Sequence, residues 1–438
     1  MGFGRKGMMM TSVGVAAAAA LSGTKTVTPL TTAPTVGNYK ISRWGADNKF
    51  PQTADEIIGQ IGVLNTGLRY IRNVILGQGI FPCKVTGYDS DGNEILQIIE
   101  DSKLRAFCAS RMVRIYMEKA TRDFLKFGIP FPELIPSADK KSIAGINVIN
   151  AYYGRYTVAN DFGESENLVV SGKWPANPAE NEYKVIPVLS EYDPDEDLDR
   201  RRLDRSFGDA NLIYPLKDSW SNKDYYSAPA WWPTKEAGWL DIAVHVPKFV
   251  KKAFENQISW KWHVKIPYAF WDKKFPESQY PKKDERKAAI QEYMDKLEDN
   301  QCSPENANKA LFTFFEIGPG GKAEEEWKIE ALDNKVKEGE NLVTSAAANS
   351  EILFSLMINP NVLGAGMPGG TYAGNQGGSN IREAFLVNIA NSWPERQTLL
   401  DPLETMLRFN GVKDVELRFR NTILTTLDTG AGTKKVTS

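Results

Sequence analysis

The chain has little of what catalytic and disulfide-built proteins depend on. Among its 438 residues are three cysteines, Cys83, Cys108 and Cys302, with no C-x-x-C pair. That argues against a disulfide framework and against a thiolate metal site, and fits a reducing compartment. Only two histidines are present; His245 falls in an apolar helical stretch and His263 in an alternating one, positions that suit structural side chains. H-E-x-x-H, G-x-S-x-G and zinc-ligand spacings are missing. Carboxylates are plentiful, but their spacing selects no acid–base pair. No reaction, cofactor or metal is expected.

Excess charge of either sign is also lacking. Lys+Arg 53 against Asp+Glu 55 leaves a net charge of −2, so no broad basic field draws nucleic acid in through counterion release. Any contact with DNA is expected to be local and weak. Nothing approaches the ~20 apolar residues of a membrane span. Arg5-Lys6 followed by "GMMMTSVGVAAAAALSGT" has the outline of a signal peptide, yet its middle is mostly alanine and glycine. A flexible arm over residues 1–36 is the expectation, with secretion the alternative.

What is there is 42% hydrophobic content, enough for real cores in roughly two or three domain-sized units. Ile57, Ile61, Leu64, Leu68, Ile71 and Ile75 fall near helical spacing, and Gly77 and Gly79 end that run before a strand. "YDSDGNEIL" predicts a hairpin turn at Asp91-Gly92. A second helix is predicted over Arg105 to Phe127, with Phe107, Val113, Met117, Ala120, Phe124 and Phe127 inward, closed by "GIPFPELIPS". Short strands and turns follow over 143–192. "EYDPDEDLDRRRLDR" reads as a solvated charged face, with Asp193, Asp195 and Asp197 a weak metal candidate.

Leu240, Ala243, Val246, Val250, Ala253 and Phe254 share one side of a helix that Pro247 must kink or divide. "SWKWHVKIP" alternates like a strand, Asp284 to Glu298 is amphipathic, and two strands flank Gly318-Pro319-Gly320-Gly321. A returning helix, Val336 to Ile358, carries Val343, Ala346, Ala347, Ser350, Leu353, Phe354 and Met357 on one face. Ser379 to Asn391 is helical. Ser392-Trp393-Pro394-Glu395 then reads as a capping box, and Asp401-Pro402-Leu403-Glu404 as a second start with proline at the first helical position. The strand-like "VELRFRN" precedes a polar tail.

Between two of these helices stands "GAGMPGGTYAGNQGGSN", with seven glycines in the fifteen residues from Gly364 to Gly378 and one G-x-G-x-x-G match. A dinucleotide site needs a strand entering the first glycine and a helix opening at the last. Asn359-Pro360-Asn361-Val362-Leu363 is too short and turn-like for that strand, and no G-K-[ST] follows. A phosphate site is therefore not expected here. Eleven tryptophans, Trp231-Trp232 among them, suit either core and interface packing or a sugar platform.

In this order of elements the chain resembles the portal (head-to-tail connector) proteins of tailed bacteriophages. The strings that carry the resemblance are "DYYSAPAWW" leading into a long helix, "KAFENQ", "SPENANKALFTFFEIGPGG" with Trp327 soon after, "NPNVLG", and "SNIREAFLVNIANSWPERQTLLDPLETMLRFNG". It runs from about Tyr39 to Gly411. The polar insertion around 193–205 and a short C-terminal region depart from it, the latter leaving little or no crown.

The resemblance implies an α+β portal fold and a ring, typically of twelve identical subunits, at one capsid vertex with double-stranded DNA in its channel. It implies a wing over 37–230 and 379–411, stem helices over 231–257 and 333–358, a clip over 258–332, a tunnel loop over 359–378 and a tail over 412–438. Val343, Ala346, Ala347, Ser350 and Phe354 would pack the stem. Gly364, Met367, Gly369, Gly370, Tyr372, Asn375 and Gln376 would be the loop residues facing DNA. Its implied partners are further copies of itself, the terminase large subunit, head-completion, adaptor or tail proteins, and major capsid and scaffolding proteins. It implies residence in the virion, after assembly in the host cytoplasm. The rival reading, from the N-terminal segment and the tryptophans, is a secreted glycan-binding or glycan-cleaving protein.

Overall fold

The computed structural model describes residues 6–10, 16–20, 33–160, 163–203, 211–218, 220, 225–257, 262–266, 268–302, 316–317, 323–324, 328–331, 338–363 and 378–422. They form two compact units, Met1–His245 with Leu342–Ser438, and Val246–Asn341. Helices alternate with small antiparallel sheets, an α+β architecture.

The first unit opens with two hairpins, β1 (Lys6–Met10) with β2 (Ala16–Ala20) and β3 (Thr35–Val36) with β4 (Tyr39–Lys40). The helix expected through Ile57–Ile75 is two, α1 (Phe50–Gln60) and α2 (Gly62–Leu76), because Ile61 between them is extended at φ −115°, ψ 101°. Gly59 and Gly62, poor helix formers, flank that break. β5 (Ile80–Tyr88) and β6 (Glu94–Ile98) form the expected hairpin. Gly92 takes φ +83° in its turn, where Asp89 Oδ1 accepts from the amides of Asp91 and Asn93.

The second expected helix also divides, into α3 (Ser102–Cys108) and α4 (Arg111–Phe127). Asp101 caps the first, and Ser110 Oγ accepts from the Val113 amide at 3.2 Å to start the second. "GIPFPELIPS" supplies a strand, β7 (Phe131–Pro136), followed by β8 (Ile143–Ile149), β9 (Gly154–Tyr156), β10 (Asn167–Val170) and β11 (Lys184–Pro187). The charged run forms α5 (Pro194–Leu203), and it is not wholly a solvated face. Asp197 is 5% exposed there, accepting from the Ser190 amide and the guanidinium groups of Arg200 and Arg201.

After β12 (Leu212–Ile213) come α6 (Trp232–Glu236) and α7 (Trp239–Gln257). Pro247 lies inside α7, so the helix is not divided there. In the second unit β13 (Trp262–Lys265) precedes α8 (Tyr268–Lys274) and α9 (Lys283–Cys302), which exceeds the expected Asp284–Glu298 at both ends. β14 (Glu316–Ile317) and β15 (Ala323–Glu324) pair on either side of 318–322, and β16 (Lys328–Ala331) pairs with β13. Phe270, Trp271, Phe275 and Tyr293 stack and cross edge to face between α8 and α9.

α10 (Glu338–Ser355) returns the chain to the first unit, completed by α11 (Gly378–Asn391), α12 (Trp393–Phe409) and β17 (Glu416–Phe419). The helix start read at Ser392 holds, without its cap bond, and the one read at Pro402 does not. Ser392 makes no cap bond: it is 6% exposed and donates its hydroxyl back to Ile389 O at 2.7 Å. Pro402 begins nothing and sits inside α12, where the hydroxyl of buried Tyr116 donates to Leu399 O at 2.9 Å, within the turn the proline opens.

Three-stranded sheets β17-β5-β6, β12-β7-β8 and β11-β10-β9 frame the first unit. One core packs Val113, Met117, Ala120 and Phe124 of α4 against Leu399, Leu403 and Met406 of α12. A second joins Leu64 and Leu68 of α2, Trp44, Trp231 and the inner side of α10. Beside it Arg155 is fully buried with its guanidinium between the rings of Trp44 and Trp174, 5.5 and 5.6 Å from their centroids. Its donors reach Asn48 Oδ1 at 2.6 Å, Asn48 O at 2.9 Å and Gly154 O at 2.7 Å. Burial lowers its pKa to about 10.

Candidate subunit interface

Chemistry is scarce in this structure. Among the described residues no group of His, Cys, Asp and Glu side chains is placed to hold a metal, and no helix is long and apolar enough to cross a membrane. Burial pushes the thiols of Cys83 and Cys108 up to about 11, away from the thiolate form a nucleophile needs. His245 is exposed on α7, and the side chain of His263 lies outside the described residues. Trp231 is completely buried, with Trp232 crossing it at 66°. This pair therefore offers no open sugar platform.

The informative surface is α10. Ala348, Ile352, Leu353 and Leu356 on one side are at most 5% exposed and belong to the unit's own core. Gly67 on α2 lets them approach: a Cβ there would stand 2.7 Å from Leu356 Cδ1 and 3.3 Å from Ile358 Cδ1. On the opposite side Val343 is 62% exposed, Phe354 80% and Met357 60%. Ala346 and Ala347 are half-buried beside them, and Ser350 is exposed. Of the face expected from the sequence, Leu353 turns inward and the others form a helical stripe that their own chain leaves largely uncovered.

The stripe has apolar company. Leu386 and Val387 on α11 are 54% and 56% exposed, and Trp393 at the start of α12 is 55% exposed. Sequence reasoning overlooked these, as it overlooked the exposed apolar side chains of the hairpin's edge strand β6, where Ile95 and Ile98 are 48% and 61% exposed beside Tyr88 at 69%. The readable signal was "EILQI", whose apolar residues fall on both faces of a strand that has only one neighbour. Arg418 on β17 braces that sheet from the other edge through Glu94, with two bonds of 2.8 Å. The loop residues Gly364, Met367, Gly369, Gly370, Tyr372, Asn375 and Gln376 lie outside the described residues.

No protein-family model matches the chain, and no curated protein sequence matches it. Solved structures do match. A chain in the neck of an empty gene transfer agent (GTA) particle, computed with C6 symmetry, is 12% identical with a TM-score of 0.56, covering 87% of this chain and 86% of that one. A chain of the virion of a native GTA particle is 13% identical with a TM-score of 0.54, covering 88% and 86%. One from the neck of a native GTA particle, computed with C12 symmetry, is 12% identical with a TM-score of 0.52, covering 87% and 86%. The likeness is one of fold, it spans nearly the whole length of both chains, and it is consistent with the portal resemblance read from the sequence.

Proposed function

We propose that the chain is a portal, or head-to-tail connector, subunit of a tailed-phage-like particle, and that identical copies close into a ring through which double-stranded DNA passes in packaging and ejection. The observation that carries this reading is the fold shared over 87% of the chain with a chain from a particle neck. The uncovered stripe on α10 supports it. A heterologous contact that closes on itself gives cyclic symmetry, and such a contact needs an apolar surface left over after the subunit's own core is complete. Twelve copies at −2 each carry about −24, so the ring as a whole does not grip phosphate, and DNA slides.

In this reading Val343, Ala346, Ala347, Ser350 and Phe354 pack between subunits. Residues 359–378, rich in glycine and without a fixed charge at Met367, Tyr372, Asn375 and Gln376, project toward DNA as the tunnel loop. Residues 258–332 form the clip that docks the terminase large subunit and afterwards adaptor or tail proteins. Major capsid and scaffolding proteins surround the ring at one vertex of the virion.

Negative-stain microscopy with native mass spectrometry of the purified chain tests the ring. Closed rings are the expected result, and monomer alone at micromolar concentration, with no ring in particles, overturns the proposal. Shortening Gly369 to Gly377 tests the loop: rings and ATP hydrolysis by the separate motor should persist while packaged or retained DNA falls. Normal packaging and retention would make the loop a passive linker.

A further inference from the structure

The sheet β17-β5-β6 has two outer edges, and they are finished differently. On β17 the Leu417 N–H points away from β5 and is taken by Glu404 Oε1 of α12 at 2.9 Å, so the subunit closes that edge itself. On the other side the Ile99 N–H donates to Pro82 O at 3.1 Å, which turns the backbone groups of residues 97 and 99 toward β5. Strand alternation then turns those of Leu96 and Ile98 outward, where no further strand stands among the described residues. Leu96 is exposed there together with Ile95 and Ile98. None of the usual guards of an edge, a proline, a lysine or an inward charge, occurs from Ile95 to Ile99.

An unguarded edge accepts an added strand, and the chain holds a pair of strands in need of a sheet. Among the described residues β1 and β2 pair only with each other, and an isolated two-stranded hairpin is marginal in water without a third strand or a helix to pack on. Charge matches the two. Residues 1–39 carry Arg5, Lys6 and Lys25 and no carboxylate, while Val85 to Ser102 carries Asp89, Asp91, Glu94, Glu100 and Asp101 and no Lys or Arg. Arg5 and Lys6 sit at the β1 end of the hairpin, so β1 is the strand suited to add. Within one chain the hairpin and β6 belong to separate sheets. Residues 21–34, between β2 and β3, span roughly 45 Å at full extension, a tether long enough to serve a neighbouring copy.

We propose that β1 of one copy adds to the open edge of β6 in the next, extending β17-β5-β6 across the boundary between subunits. The inference rests on the ring reading and gives the ring a second contact, separate from the α10 stripe. Backbone hydrogen bonds supply the attachment. Because the β17 edge is closed, each sheet accepts one arm and each copy gives one. Such a one-way exchange is heterologous, and it closes when the ring does.

Gln97→Cys, at an exposed position of β6, and Met8→Cys, Met9→Cys or Met10→Cys on β1 test the pairing in the full-length chain. A disulfide forms only where two Cα atoms come within about 7 Å. Chains of the two kinds are mixed, allowed to assemble, oxidised and run on a non-reducing gel, with native mass spectrometry reporting the rings. At least one β1 position should give a covalent pair of unlike chains, and Tyr192→Cys, also exposed, should give none in place of Gln97→Cys. Leu96→Pro removes an outward N–H that β5 does not use, and Ile98→Lys guards the edge with a charge. Each should abolish the cross-link with the fold intact by circular dichroism, and either suffices if the other fails to fold. Rings without the cross-link, an equal yield at Tyr192, or a cross-link that survives both substitutions overturns this inference and leaves the ring reading standing. A cross-link inside single chains that carry both cysteines, with none between unlike chains, also overturns it, the arm then lying on its own β6. Monomer alone overturns both readings.

Discussion

Helices α4 and α10 have nearly the same length, 17 and 18 residues, and opposite relations to their subunit. On α4 the apolar residues Val113, Tyr116, Met117, Ala120, Phe124 and Phe127 are buried, Met112, Ile115 and Leu125 are half-buried, and the exposed positions Arg111, Arg114 and Glu118 are all polar. Its amphipathic pattern is used up inside one chain. On α10 the core takes Ala348, Ile352 and Leu353, yet Val343 and Phe354 stand out on the other side. A helix apolar on two sides belongs between two bodies, and the chain supplies only one of them.

The largest effect expected from breaking this comparison is on the sides the two helices share. Ile352→Ala should cost about 2–5 kcal/mol of folding stability, as Met117→Ala on α4 should, measured by urea unfolding. A loss below about 1 kcal/mol for Ile352→Ala would mean that α10 is not part of the core. Ala347→Trp addresses the uncovered side: overpacking should weaken each subunit contact by about 1–3 kcal/mol while the monomer melts as before. Native mass spectrometry showing rings at wild-type yield would remove this side from the interface.

Smaller changes sharpen the contrast. Met357→Gly relieves a left-handed residue at the end of α10 and should stabilise the fold by about 0.5–1 kcal/mol, glycine's own entropy loss being subtracted. No gain in melting temperature would show that the backbone there carries no strain. The smallest effect is expected on α4. Asp123 is 1% exposed, and its burial raises its pKa above the usual carboxylate value despite the bond from Arg122. The unfolded chain therefore ionises first, and the stability this group contributes is complete below the unfolded pKa and lost as pH rises through the raised one. Asp123→Asn should flatten that decline above the unfolded carboxylate pKa of about 3.9 in urea midpoints, whereas an unchanged slope would place the pH dependence elsewhere.

The sequence made the buried face of α4 and the Asp91-Gly92 hairpin legible because their signals are local, an apolar period and a turn glycine; it ran α3 and α4 together because the cap at Ser110 went unread. It also made the stripe on α10 legible as a face. It did not show that the same helix buries Ile352 on its opposite side, since period alone does not distinguish a wall of the core from a wall of an interface. Arg155 and Asp197 were illegible for a different reason. A buried charge is tolerated only by its partners, and Arg155 finds Asn48 107 residues away. Ser392 shows the converse, a motif read correctly as letters whose hydroxyl was drawn to a nearer carbonyl.

Gly67 has a mechanical consequence. Leu356 and Ile358 lodge against a stretch of α2 that has no side chain, a few residues before the segment that follows Leu363. Close-packed apolar contacts of this sort are stiff over tenths of an ångström and yield abruptly beyond that. One added methyl at Gly67 would stand 2.7 Å from Leu356 Cδ1, and the end of that side chain would have to turn aside.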